Sequence, residues 1–367
     1  MNYVIRIDTS FFNKDIKQIS PTSPTQSDLR NFVIWLSDNN CFHIAMESTG
    51  VYWRPVYEVI EEHAPHYEQL IVVNAHHMRN LPGRKNDVKD AEWIATLLRH
   101  GLLEASFVPD MIIRNLREYS RLHKSFVQEK ARYLNRLEKF LQTHGFKLSS
   151  VLSNIAGTSG RNLLNILVEK GCINPDDVIQ AVGKRIKKPL DEIESAVCGT
   201  LIKSECRLLE HLLKKLDDSI EDINSILHDM EELVHPYQRA LEQLDSIPGI
   251  DVTSALALLA EISANPQKSF ASTAHISSWA GLSPRNDESA GKVKSRKVLH
   301  GNPYIKSVLC QCAWAAVRSR NSKFALWFWS HQGKLGRKKA IIAVARKILA
   351  VSYTMLKNDE FYDSNVA

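Results

Sequence analysis

Along the first hundred residues the spacing of apolar positions changes period several times. Residues 4–7, 42–46 and 70–73 are short apolar runs that predict buried strands. Between them, 51–63 places Val51, Val56, Val59 and Ile60 at helical spacing. Residues 88–100 do the same with Ala91, Ile94, Ala95, Leu97 and Leu98. Strands alternating with helices predict an α/β layer structure. A polar, proline-containing stretch at 21–28 reads as a loop before a helix starting near Leu29.

From about 110 the pattern turns helical. Tyr119, Leu122, Phe126, Tyr133, Leu137 and Phe140 largely keep a three-four spacing. A second run, Cys206, Leu209, Leu213, Leu216, Ile220, Ile223, Leu227, Met230 and Val234, keeps it without a miss. This second run, about four heptads long with charged flanks, predicts either a coiled-coil seam between subunits or one half of a helical hairpin. Between the two, 148–200 is punctuated by Gly157, Gly160, Gly171, Pro175, Pro189 and Gly199 and reads as a small helical insertion. The expected organisation is an α/β domain at 1–105, a helical region at 106–240 and a mainly helical domain at 241–367. Within the last, Ile247-Pro248-Gly249-Ile250 ahead of a helix at 253–262 is compatible with half of a phosphate-binding helix hairpin. Asp251 is equally compatible with a plain helix cap.

Composition leaves this picture intact. The 367 residues, 44% apolar and 24% charged, are ordinary for a globular protein. No apolar run approaches the roughly 18 residues that would cross a bilayer. Residues 1–10 lack the pattern of a secretory leader, and six scattered cysteines lack zinc-site spacing, so a cytoplasmic protein with reduced thiols is expected.

Charge changes the picture more. Between Arg285 and Lys347 stand fifteen Lys or Arg against two acids, in a chain whose net charge is only +6. Such a block is the footprint of a phosphate-backbone partner, or else a solvated face. Its nearest contacts are expected from Lys292, Lys294, Arg296, Lys297, Arg337, Lys338 and Lys339. Trp314, Phe324, Trp327, Phe328 and Trp329 interleave with it, as stacking surfaces for bases or as core positions.

The candidate chemistry lies in four carboxylates and one hydroxyl. Asp8 and Glu47 end predicted strands; Asp87 and Asp90 open a predicted helix, three apart and hence on one face. Each has a structural alternative: a turn or cap for Asp8, a capping box for the Asp87–Asp90 pair. Gathered together, they form an oxygen-ligand set for one or two Mg²⁺ or Mn²⁺ ions in phosphodiester chemistry. The sequence holds no HExxH, no P-loop and no dinucleotide fingerprint. Ser289, in Asn286-Asp287-Glu288-Ser289-Ala290-Gly291-Lys292, reads by itself as a turn residue in a polar loop.

Read together, Ile7-Asp8-Thr9-Ser10, Glu47-Ser48-Thr49-Gly50-Val51-Tyr52-Trp53 and Arg84-Lys85-Asn86-Asp87-Val88-Lys89-Asp90-Ala91 resemble the DEDD insertion-sequence transposases. That family includes bridge-RNA-guided recombinases and Piv-like invertases. The resemblance continues through Gly157-Thr158-Ser159-Gly160-Arg161, Ile247-Pro248-Gly249-Ile250, Ser278-Trp279-Ala280-Gly281-Leu282-Ser283-Pro284, the Ser289 loop and His300-Gly301-Asn302-Pro303. It implies a RuvC-like domain of RNase H fold, a coiled-coil dimerisation region and a C-terminal transposase domain. In that frame Asp8, Glu47, Asp87 and Asp90 match the metal-binding acids, and Ser289 matches the serine that becomes joined to DNA. The implied partners are DNA, a guide RNA and further copies of the chain, as dimer or tetramer, in a bacterial or archaeal nucleoid setting without a membrane. A remnant that only binds nucleic acid and a junction-resolving nuclease remain as alternatives. Three departures bear on this, one being Asn74-Ala75 where the family more usually has Asn-Pro. Arg6 replaces a small residue near the first acid. The Asp8–Glu47 interval is short, and 11–20 offers little apolar alternation, so the hairpin expected after the first strand is predicted to be truncated.

Overall fold

The computed structural model describes residues 3–9, 14–20, 25–48, 50, 52–63, 67–74, 87–182, 188–284, 287–289, 292–295, 298, 300–319 and 322–363; for 3–9, 14–20, 87–92, 287–289 and 292–295 it describes the backbone alone. The chain forms two compact units, Met1–Pro109 and Asp110–Ala367.

The first unit opens with a hairpin. Strand β1 (Tyr3–Thr9) pairs antiparallel with β2 (Lys14–Ser20) along its full length, from Tyr3 opposite Ser20 to Thr9 opposite Lys14. The expected truncation is therefore wrong for this strand. Residues 14–20 lack strict alternation, but the register sets Ile16 opposite Ile7 and Ile19 opposite Val4. The backbone register, which a scan of one strand does not see, defines the hairpin. Helix α1 (Gln26–Asp38) follows, and it begins earlier than the expected Leu29. Thr25 and Asp28 form a reciprocal capping box at 2.8 and 3.2 Å, which holds the Asp28 carboxyl below its usual pKa.

Strand β3 (His43–Glu47) then runs parallel to β4 (Gln69–Val73), with α2 (Trp53–His63) as the crossover. Leu29, Val33 and Leu36 of α1 pack with Ile44 and with Val56, Val59 and Ile60 of α2 in one core. Helix α3 (Asp87–Arg99) buries Ile94, Ala95 and Leu97.

The second unit is helical. Helix α4 (Met111–Thr143) is capped by Asp110, which accepts from the Ile113 amide at 3.0 Å. The insertion is helical as expected: α5 (Leu148–Val151), α6 (Thr158–Lys170), α7 (Pro175–Ala181) and α8 (Leu190–Val197), with β5 (Cys172–Ile173) pairing antiparallel to β6 (Gly199–Thr200). Gly160 is dictated by contact, because a Cβ there would lie 2.2 Å from the Ile155 carbonyl oxygen. Helix α9 (Lys203–Leu233) carries the apolar seam. Its Leu209, Leu213 and Leu216 pack against Leu137, Phe140 and Leu141 at the far end of α4, so the two helices form an antiparallel hairpin closed by the insertion. This part of the seam is covered within the chain.

After it come α10 (Gln238–Asp245), α11 (Val252–Ile262), α12 (Thr273–Trp279), the hairpin β7 (Asp287–Ser289) and β8 (Lys292–Ser295), and α13 (Pro303–Ala316), α14 (Lys323–Leu335) and α15 (Arg337–Asn358). At the Pro248-Gly249 turn the helix cap is present. Gly249 has φ +92° and lies so close to α13 that a Cβ would sit 2.4 Å from the Ala316 nitrogen. Asp251 caps α11 by accepting from the Ser254 amide at 2.8 Å. No helix among the described residues is long and apolar enough to cross a membrane.

Candidate functional site

The four acids sit on three neighbouring elements of the first unit. Asp8 is the penultimate residue of β1, Glu47 the last of β3, and Asp87 and Asp90 occupy the first turn of α3. Helix α3 lies against both β1 and β3, and β1 lies beside β3. Glu47 is half-buried, and its strand end is tied to β4 by the Ser48 amide donating to the Val73 carbonyl at 2.9 Å. The positive end of a helix favours carboxylates, which is by itself a reason for Asp87 and Asp90 at the start of α3. The side chains of Asp8, Asp87 and Asp90 lie outside the described ones. Among the described residues no three His, Cys, Asp or Glu gather as a metal site.

Ser289 belongs to the second unit, as the last residue of β7. It stands opposite Lys292, the first residue of β8, across a two-residue connection. It is thus a strand residue at a hairpin tip rather than part of an irregular loop. A bulge between Asp287 and Glu288 interrupts the pairing nearer the base. The ends of this segment are held by backbone contact. Pro284 bridges to Val298, and the Asn302 amide donates to the Trp279 carbonyl at 3.1 Å. Gly301, at φ +55°, lies so close to Gly281 that a Cβ would come within 2.2 Å of the Gly281 nitrogen.

Beneath this frame is a buried polar cluster that sequence reading missed. Glu261 of α11 is 3% exposed. Its carboxylate accepts from the Asn302 side-chain amide at 2.6 Å and lies 3.6 and 3.5 Å from Arg117 and Arg121 of α4. Arg117 also donates to the Ala260 and Glu261 carbonyls, and Arg121 stacks over the Tyr304 ring at 4.3 Å. A buried carboxylate is retained only where partners of this kind compensate its desolvation. The available signal was Glu261 itself, a lone acid inside the apolar run 252–262.

The basic candidates divide. Lys292 and Lys294 are on β8, whereas Arg296 and Lys297 lie outside the described residues. Arg337, Lys338 and Lys339 are exposed and form the first turn of α15, where no side chain caps the helix. The interleaved aromatics divide as well. Phe324 and Phe328 are core, Trp314 and Trp327 are half-buried, and Trp329 is 57% exposed.

Comparison with known proteins adds two family matches. Residues 13–146 match a family described as transposase of the DEDD IS110 type, and residues 241–327 one described as transposase of the IS116/IS110/IS902 family. Together they take in more than half of the chain. Among curated proteins, an uncharacterised 43.6 kDa protein of insertion element IS110 from Streptomyces coelicolor is 27% identical over 150 residues, covering 36% of each chain. Pilin gene-inverting proteins of Moraxella bovis and Moraxella lacunata are 25% and 28% identical over 158 and 163 residues. The match covers 42% and 41% of this chain and 48% and 49% of theirs. The chain thus spans half or less of the length of these relatives.

Proposed function

The chain belongs to the IS110-type DEDD transposase family, and from that premise we propose that it cuts and rejoins DNA strands as a transposase or site-specific recombinase. The observation that carries this reading is the packing of β1, β3 and α3, the three elements bearing Asp8, Glu47, Asp87 and Asp90, into one unit. The proposal takes that unit to be RNase H-like. An all-carboxylate donor set suits a hard divalent cation such as Mg²⁺ or Mn²⁺, and these four residues would hold it. When bound, such an ion offsets charge developing on the phosphate oxygens.

The chain's own residues supply the rest. Ser289, at the hairpin tip, is proposed as the nucleophile. Its Oγ forms a bond to phosphorus as the phosphorus–oxygen bond to the leaving strand breaks. The hydroxyl proton departs and the leaving oxygen takes one up, so the phosphodiester energy is conserved in a phosphoserine link. Attack by the hydroxyl of another strand reverses the step and restores Ser289. Lys292, Lys294, Arg296, Lys297, Arg337, Lys338 and Lys339 are proposed to neutralise phosphates of the bound nucleic acid. That nucleic acid would include an element-encoded guide RNA beside the DNA. The half-buried remainder of the α9 seam, Ile223 and Leu227, is proposed to pair with another copy.

The test is a covalent protein–DNA adduct on element-end DNA with Mg²⁺. It should form with the wild type and be lost in Ser289→Ala. Cutting that persists in Ser289→Ala without an adduct would replace this reading with a nuclease that uses water. Binding without cutting would replace it with a remnant that only holds nucleic acid.

A further inference from the structure

The aromatic residues of the basic block build a cavity that neither the acids nor Ser289 use. It lies where the end of α13, the start of α15 and one face of α14 meet, with a volume of about 550 Å³, and Trp314, Arg318, Phe328, Trp329 and Arg337 line it. A second cavity of about 530 Å³ shares Trp314, Arg318 and Arg337 with it. Both fall in the range of small-ligand sites, roughly 300 to 1,000 Å³.

Its lining has a definite chemistry. Phe328 is fully buried and meets Trp314 and Trp329 edge-on, with ring centres 6.0 and 5.2 Å apart and planes at 66° and 80°. It forms a floor that holds both indoles. The Arg337 guanidinium stands 5.7 Å from the centre of the Trp314 ring. Among the described residues no acid pairs with Arg318 or Arg337. The sequence contains no Asp or Glu between Glu288 and Asp359, so the three helices that build the cavity carry only positive charge. An indole left 57% exposed beside unpaired guanidinium groups offers a flat π-face and phosphate ligands together. That pairing is the chemistry that recognises an unpaired nucleotide. A duplex presents neither base face, because its bases are stacked on one another.

We propose that this cavity holds one unpaired nucleobase of a single-stranded segment, stacked against its indoles, with Arg318 and Arg337 at the adjoining phosphates. The proposal rests on the reading above that this chain handles nucleic acid, and it adds to the phosphate contacts proposed there, with which it shares Arg337, a site for an unpaired base. Two sources share the chemistry: an opened DNA strand, and a loop of RNA.

The test uses the full chain and fluorescence anisotropy at one salt concentration. The probes are labelled 12-nucleotide single strands of DNA and of RNA and their matching duplexes, measured with the wild type, Trp329→Ala and Trp329→Phe. Trp329→Ala should weaken binding of at least one single strand by about 5- to 150-fold, the measured span for loss of one base–aromatic stack. Trp329→Phe should restore most of that loss, and duplex affinity should stay at the wild-type level in both variants. Loss with RNA alone identifies a guide-type loop, loss with DNA alone an opened strand, and loss with both a site open to either. Unchanged affinity for both single strands in Trp329→Ala would overturn the proposal. So would an equal loss for duplexes, which would make Trp329 part of a general contact face. The Ser289 adduct, measured in parallel, reports on the strand-exchange reading separately. An adduct in wild type together with unchanged single-strand binding in Trp329→Ala discards the cavity alone. Sensitive single-strand binding without any adduct discards the chemistry alone.

Discussion

Asn302→Asp is a near-isosteric change with a large expected effect. The Asn302 side chain has three partners: its Oδ1 accepts from the Tyr304 and Ile305 amides at 2.9 and 3.4 Å, capping α13, and its Nδ2 donates to Glu261 at 2.6 Å. As a cap, aspartate is at least as good as asparagine and gains about 0.3–1 kcal/mol from the helix dipole. A view in which Asn302 only caps α13 therefore predicts a neutral or stabilising change. The Glu261 contact predicts the opposite. The variant loses a hydrogen bond to a charged group, about 1.5–3 kcal/mol. It also sets a second carboxylate against a buried one. Even relaxed to about 4 Å, at an effective dielectric near 20, that repulsion is roughly 4 kcal/mol. Arg117 and Arg121 offset part of it, leaving a net loss of about 4 kcal/mol. This is a large share of the roughly 5–15 kcal/mol that holds a typical domain. Asn302→Ser keeps a capping oxygen without the charge and should lose only about 1.5–3 kcal/mol. Urea unfolding followed by the fluorescence of the second unit's tryptophans would order the three proteins. Asn302→Asp at or above the stability of Asn302→Ser would show that the Glu261 contact contributes nothing.

Other expectations follow from the same geometry. Glu47→Gln or Asp87→Asn should abolish Mg²⁺-dependent strand cleavage while leaving thermal unfolding close to wild type; full cleavage in either variant would return that residue to a purely structural role. Neutralising Arg337, Lys338 and Lys339 together should lower the slope of log affinity against log salt by about 2 to 3, and an unchanged slope would make the first turn of α15 a solvated face. Leu216→Glu should unfold the second unit, because Leu216 is fully buried in the cluster that joins α4, α6 and α9. Ile223→Glu with Leu227→Glu should instead leave it folded and convert any oligomer seen in sedimentation to monomer. Asp177 is held below the usual carboxyl pKa, first by the hydrogen bond from Lys170 and then by the Asn174 amide. Its contribution to stability is present above pH 4 and lost as pH falls through that lowered value, so Asp177→Asn should flatten the acid limb of the stability–pH curve.

What was legible in the sequence had a local cause. Helical periodicity located α2, α3, α4 and α9 because one apolar face of each lies on a core, and short apolar runs located β3 and β4 because they are buried. The β2 strand was missed because its own residues do not alternate; it is defined by its backbone register with β1, Ile16 opposite Ile7 and Ile19 opposite Val4. The seam of α9 was read correctly as a seam, but its partner was left open, since period alone does not say which chain covers an apolar stripe. The candidate acids were visible from their places at strand and helix ends. The Glu261–Asn302–Arg117–Arg121 cluster was not, because it joins residues more than 140 positions apart.

The glycine-bearing motifs on either side of Ser289 gain a physical reason from this arrangement. The nucleophile proposed for Ser289, offered to a bulky polymer, has to project from the body of the protein, and a short two-stranded hairpin has little core of its own to fix it. Its position is then set by its ends. Here those ends are pinned where Gly281 and Gly301 let two backbones touch, where Asn302 reaches the Trp279 carbonyl, and where the same Asn302 is anchored on a buried carboxylate. None of these residues is placed to react. Substitutions such as Gly301→Ala, which must push the Ala280–Gly281 backbone away, act on where Ser289 is held rather than on its hydroxyl. A displacement near 1 Å can cost about a hundredfold in rate when alignment for in-line attack is what catalysis requires. On the proposed reading of Ser289, the frame and the proposed nucleophile are therefore parts of one device, and the conspicuous motif residues around Ser289 belong to the frame.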